Sequence, residues 1–210
     1  MWGTSPPYSE KTYRAVEVRD TLLHSPRALS CQRVPCQNAD RMRDLIALHE
    51  AYKRGDLTAV KTLLGNPSDF PNCVGPRAVG EVVLQYAIYH SPVSFVRALL
   101  ELGADPNYGS DGFPSLIAAL STDRPERYEI AELLLAFGAD IQQRGVNDYT
   151  PLHYAAAKND LRMIEVLLAH GADRNAKTGI DEFSTPLEEA EHRRFAEAVR
   201  MLKEPDKERK

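Results

Sequence analysis

Five leucines mark this chain into segments of nearly equal length. Leu48, Leu84, Leu116, Leu152 and Leu187 stand 36, 32, 36 and 35 residues apart. Each opens a similar pattern. Leu48 precedes the pair Leu63-Leu64 by the same interval that separates Leu152 from Leu167-Leu168 and Leu187 from Leu202. The tripeptide Gly-Ala-Asp begins at Gly103, Gly138 and Gly171, in the middle three units, and is lacking in the outer two. One unit of this size cannot bury its apolar face alone. A chain with this period therefore has to stack its copies.

The fourth unit shows what each copy encodes. Thr150 can cap the free N–H groups of a helix start, and Pro151 tolerates the first helical position. Leu152, Ala155 and Ala156 share one face, and the alanines let two helices approach closely. A turn falls at Asn159-Asp160. Met163, Ile164, Leu167 and Leu168 then recur at helical spacing and predict the buried stripe of a second helix. Gly171 predicts its end, because glycine accepts the left-handed conformation there. Asp173 and Asn175 suit a hairpin-like turn into the next unit.

The stretch from Thr150 to Lys177, TPLHYAAAKNDLRMIEVLLAHGADRNAK, resembles an ankyrin repeat. The resemblance implies an all-α solenoid of helix-turn-helix units joined by hairpin-like turns. It covers residues 41–204, with repeats at about 41–75, 77–108, 109–144, 145–178 and 180–204, the outer two serving as caps with a polar outer side. It also implies that His153 ties down the backbone of its own turn rather than acting as a catalyst or ligand. Two repeats depart from the pattern. Val82-Val83 and Gln85 replace Thr-Pro and His in the second, and Pro114-Ser115 and Ile117 do so in the third. Those turns are expected to lose a cap and a tie. From Leu116 to Gly138 is 22 residues, against 19 from Leu152 to Gly171. The surplus lies between the two helices of the third repeat, around Ser121 to Tyr128. Such insertions fall on one face, often the binding face.

Residues 1–40 match no repeat and read as an N-terminal extension, partly disordered or one short helix. Tyr13, Val16, Leu22 and Leu23 share one helical face, so a helix packing on the first repeat and a short docking peptide both remain open. The connector rich in proline at Pro67, Pro71 and Pro76 is expected to be an irregular loop. Residues 205–210 form a charged tail.

Bulk properties narrow the function classes. The formal net charge is -4, which exerts no strong pull toward nucleic acid or an anionic membrane. No apolar run approaches the ~20 residues that span a bilayer. The first residues lack a signal-peptide layout, so a cytoplasmic location is expected, with a nuclear one also open. Cys31, Cys36 and Cys73 form neither a disulfide framework nor a metal-binding spacing, and no cofactor or metal is expected. No phosphate-binding glycine loop, Gly-x-Ser-x-Gly or His-Glu-x-x-His occurs. Glu188, Glu189 and Glu191 read as a solvated helical face, and His49 and His192 as lone histidines on helix surfaces. Cys73 has no base at readable spacing. The chain reads as a non-enzyme.

The family resemblance places binding on the turn tips and the exposed side of each first helix. Carried over by register, it selects Tyr89, His90, Asp111, Phe113, Asn147, Tyr149 and Lys158 as partner-binding residues. Aromatics exposed on neighbouring units are the usual material of interface hot spots. Phe113 and Tyr149 can instead fold back onto adjacent repeats. The expected function is a protein-protein interaction module that binds a protein partner in the concave groove, as a monomer or as a subunit of a hetero-complex. The alternatives are an inhibitor or immunity-type protein that blocks an enzyme, and an adaptor subunit.

Overall fold

Each unit of the period folds into two helices that face opposite ways. The computed structural model describes residues 36–73, 82–109, 113–179 and 183–203. The readings of residues 1–35, of Asp111 and of the charged tail lie outside the described residues, while residues 36–40, read as part of the N-terminal extension, belong to the first helix. Residues from Ala39 onward form one compact unit. The first helices of the five repeats are α1 (Cys36–Arg54), α3 (Val83–His90), α5 (Ser115–Ser121), α7 (Pro151–Ala157) and α9 (Pro186–His192). The second helices are α2 (Leu57–Leu63), α4 (Val93–Glu101), α6 (Arg127–Ala136), α8 (Leu161–Ala169) and α10 (Ala196–Lys203).

Helices pack by rank. α3, α5, α7 and α9 lie against one another in chain order, and α4, α6, α8 and α10 do the same. The marker leucines Leu48, Leu84, Leu116 and Leu152 are buried, and Leu187 is half-buried against the same core. Ala87, Ala119, Ala156 and Ala190 are each 0% exposed, as expected where first helices must come close. Leu99, Leu134 and Leu167 close the core from the second helices. The first repeat differs. Leu63, at the register position of the buried Leu167, is 42% exposed. It ends the seven-residue α2, whose buried residue is Val60. Tyr52 completes that end of the core, with ring centroids 4.7 Å from Tyr86 and 5.8 Å from Phe95.

The caps follow the local sequence. Thr150 and His153 form a reciprocal capping box, and Pro151 takes the first helical position. Thr185 and Glu188 repeat the arrangement on α9, with the Thr185 N–H donating to Glu188 Oε2 at 2.7 Å. Those hydrogen bonds pull the Glu188 carboxyl below its usual range. Glu188 is thus a cap, not merely part of a solvated face. Asp56 and Asp160 cap α2 and α8. Val82 and Pro114 offer α3 and α5 no side-chain cap, as their residue types dictate.

The turns between repeats are stitched in register. Gly103, Gly138 and Gly171 end their second helices at φ +88°, +88° and +86°, a conformation that favours glycine. The aspartates that follow, Asp105, Asp140 and Asp173, each accept the N–H two residues on at 2.8 Å. Asn72 donates to the Gly103 carbonyl and accepts from the Asp105 N–H, at 2.9 and 2.8 Å. Asn107 does the same for Gly138 and Asp140, at 3.0 and 2.6 Å. The proline-rich connector is therefore held at Asn72, which follows Pro71 and supplies the first rung.

Candidate functional site

The first helices expose their C-terminal ends in a row. Tyr89 and His90 close α3, Ser121 closes α5 and Lys158 caps α7. These ends touch. The Tyr89 hydroxyl lies 3.0 Å from Ser121 Oγ, which in turn donates to the Ala118 carbonyl at 2.8 Å. The Lys158 ammonium reaches the Leu120 and Ser121 carbonyls at 3.4 and 3.5 Å. It also stands 5.7 Å from the Tyr154 ring centroid. Lys158 is exposed overall, but its ammonium is tucked against the neighbouring repeat, and that burial lowers its pKa.

The row extends to the first repeat. His90 lies 4.5 Å from Tyr86 and 5.1 Å from His49, centroid to centroid. His49 Nδ1 is 2.7 Å from the Tyr86 hydroxyl. His49, expected on a helix surface, is half-buried and engaged, because α1 turns that face toward α3. Burial pushes the His90 imidazole down to about 4, with the neighbouring His49, Arg124 and Lys53 acting the same way. His49 is lowered too, chiefly by burial.

Phe113, Asn147 and Tyr149 lie at the other end of the first helices, on the turns that lead into α5 and α7. A helix of this length spans about 10 Å, so the two groups form opposite rims. Asn147 is exposed at the tip, at φ 60°, a conformation asparagine tolerates. Phe113 and Tyr149 are half-buried. Tyr149 stacks on His153 with centroids 5.5 Å apart, and burial together with a hydrogen bond to Glu189 pushes its hydroxyl up to about 12. Glu189 accepts from Ser184 Oγ at 3.1 Å and pairs with Arg193 at 3.5 Å, so it too is more than a solvated carboxylate.

His153 is a structural residue. Its Nδ1 faces the Thr150 N–H at 3.3 Å and the Thr150 hydroxyl at 2.7 Å, while Nε2 lies 3.0 Å from the Ser184 carbonyl. Nδ1 is the acceptor for the N–H, so Nε2 donates. Burial lowers the imidazole pKa and keeps this neutral form. Gln85 holds the matching register in the second repeat and donates to the Phe113 carbonyl. The second repeat has no side-chain cap, and Gln85 ties it to the following repeat rather than to its own turn. Ile117 offers no such bond in the third.

The insertion in the third repeat supplies contacts that the site prediction did not include. Arg124 donates to the Ile88 carbonyl at 2.8 Å, reaching back one repeat. Arg127 pairs with Asp160 at 2.7 Å, reaching forward one. The surplus length at Ser121 to Tyr128 was the available signal. Cys73 is buried, and burial raises its thiol pKa. Among the described residues no cluster of three or more His, Cys, Asp and Glu is arranged to hold a metal. No helix among them is long and apolar enough to cross a membrane.

The repeat register, the paired helices and the stitched turns meet a family model described as ankyrin repeats, which matches residues 48–145 and 116–210. The chain belongs to the ankyrin-repeat family. It is 31% identical over 155 residues to a putative ankyrin repeat protein, FPV014, of fowlpox virus (strain NVSL), covering 73% of this chain and 34% of that one. It is 39% identical over 97 residues to alpha-latroinsectotoxin-Lt1a of Latrodectus tredecimguttatus, covering 46% of this chain and 7% of the toxin. It is 33% identical over 93 residues to the putative E3 ubiquitin-protein ligase XBAT34 of Arabidopsis thaliana, covering 43% of this chain and 24% of that one. The chain thus spans from 7% to 34% of the length of these relatives. Ankyrin repeats generally mediate protein-protein interaction.

Proposed function

We propose that this chain binds a protein partner in the groove between its two rims, without chemistry of its own. The row from His49 through His90, Tyr89 and Ser121 to Lys158 supports this reading. It runs unbroken across four repeats, mixes aromatic and polar groups, and leaves Lys158 exposed at its end. Half-buried aromatics at the opposite rim, Phe113 and Tyr149, add apolar area to the same groove. Asn147 extends that rim as an adaptable hydrogen-bonding group, and Asp111 precedes its marker leucine by the same five residues in the sequence. The activities of the toxin and ligase relatives are not carried over, because the matched segments are 7% and 24% of those proteins.

The test is capture of the partner by tagged full-length protein, followed by titration. Tyr89→Ala/Asn147→Ala/Lys158→Ala should weaken binding by about tenfold or more, while Arg97→Ala/Glu132→Ala on the second helices leaves it unchanged. Equal affinity for all three proteins would remove the groove assignment.

A further inference from the structure

A cleft opens beside Lys158, between the third and fourth repeats. It encloses about 500 Å³ and is lined in part by Asp123, Arg127, Tyr128, Lys158, Asp160 and Arg162. Its charges are not balanced. Arg127 occupies Asp160 Oδ2 at 2.7 Å. Asp160 Oδ1 accepts from the Tyr128 hydroxyl at 3.1 Å and from the Met163 N–H at 3.2 Å. Both oxygens of this carboxylate are therefore committed to groups other than Arg162. The Tyr128 ring contacts two guanidiniums, with Arg127 Cζ at 4.8 Å and Arg162 Cζ at 4.2 Å from its centroid. That stacking fixes the Arg162 plane while leaving its N–H donors unpaired among the described residues. The Lys158 ammonium lies 3.4 and 3.5 Å from the Leu120 and Ser121 carbonyls and 5.7 Å from the Tyr154 ring, and it makes no ion pair with a carboxylate among the described residues, although Asp123 and Asp160 are near enough to act on its charge. Asp123 is the one carboxylate left in the lining, and it is exposed. A chain of net charge -4 thus carries a local cationic cleft at the end of its groove.

We infer that this cleft receives a carboxylate side chain from an acidic, extended segment of the protein partner, with Lys158 and Arg162 as its charged contacts. The inference rests on the groove reading, because Lys158 belongs to both groove and cleft. The site lies where Arg127 and Tyr128, at the end of the stretch that carries the three-residue surplus, meet the start of α8. A planar, stacked guanidinium beside an ammonium suits a carboxylate, and the ring holds Arg162 in place before binding.

The test uses the full chain and a fluorescein-labelled dodecapeptide with four glutamates, beside its glutamine counterpart. The glutamate peptide should bind about tenfold more tightly, with an affinity that falls as salt rises. Lys158→Glu/Arg162→Glu should abolish that preference, and Lys158→Gln/Arg162→Gln should reduce it. Arg97→Glu, on the exposed side of α4, should leave it intact. Both cleft residues are exposed, so urea midpoints should stay near wild type. Equal binding of the two peptides, a preference that survives charge reversal, or stronger binding of a phosphoserine peptide would each overturn the inference. A captured partner lost with the groove variant but kept with Lys158→Glu/Arg162→Glu would overturn it too, and leave the groove reading standing.

Discussion

Gln85 and His153 stand one place after the marker leucines of their repeats, and each hydrogen-bonds a backbone carbonyl of the following repeat. Gln85 reaches Phe113 and His153 reaches Ser184, and both carbonyls lie three residues before the next marker leucine. Two different side chains thus make the same inter-repeat link. The difference lies in the second function of histidine, whose Nδ1 also serves the Thr150 cap. His153→Gln should keep the link and lose the cap acceptor, whereas His153→Ala should lose both. Chemical denaturation should rank wild type above Gln above Ala, with the alanine variant down by about 1–3 kcal/mol. An Ala variant as stable as Gln would deny the link any weight.

Leu152 is 0% exposed at the centre of the stack. Leu152→Ala should cost about 2–5 kcal/mol in a denaturant titration, as large-to-small changes in packed cores do. A change near zero would contradict the register on which every repeat boundary depends.

Among the described residues three imidazoles have pKa values lowered in the fold: His49, His90 and His153, with His90 at about 4. The unfolded chain takes up these protons near 6.5, before the folded chain does. Their contribution is therefore full above about pH 6.5 and is lost as pH falls from there toward 4. Urea midpoints should drop across that window, and His90→Gln should flatten the drop. A midpoint that rises on acidification through the same window would refute the assignment.

The asparagine rungs give a local prediction. Asn107→Ala removes both its donation to Gly138 and its acceptance from the Asp140 N–H. Stability should fall by about 1 kcal/mol, and the Asp140 amide should exchange faster while the Leu167 amide does not. Uniform acceleration across the stack would mean that the rung is not a local feature.

Local periodicity made the stack legible. Leu152, Ala156, Leu167 and Gly171 each report on neighbours within a turn or two of helix, and the structure places them as read. The bonds between repeats were not legible to the same degree. His49 to Tyr86 spans 37 positions, Asn72 to Gly103 spans 31 and Gln85 to Phe113 spans 28. Residue type alone does not say which carbonyl a side chain will reach across such a gap. The site shows the same division. Register grouped Tyr89, His90, Phe113 and Tyr149 toward one groove with Asn147 and Lys158 at its rim, but did not separate the residues at the helix ends from those on the turns. It did not foresee that Tyr149 stacks on His153, or that Arg127 and Tyr128 build a cleft against α8.

The central claim is that the partner lies in the groove. Amide hydrogen exchange of full-length protein, alone and saturated with the captured partner, tests it most directly. The claim predicts slowed exchange at the ends of α3, α5 and α7 and on the turn carrying Asn147 and Tyr149, with α4 and α6 unaffected. Protection confined to α4 and α6, or none on the first helices and turn tips, would contradict it.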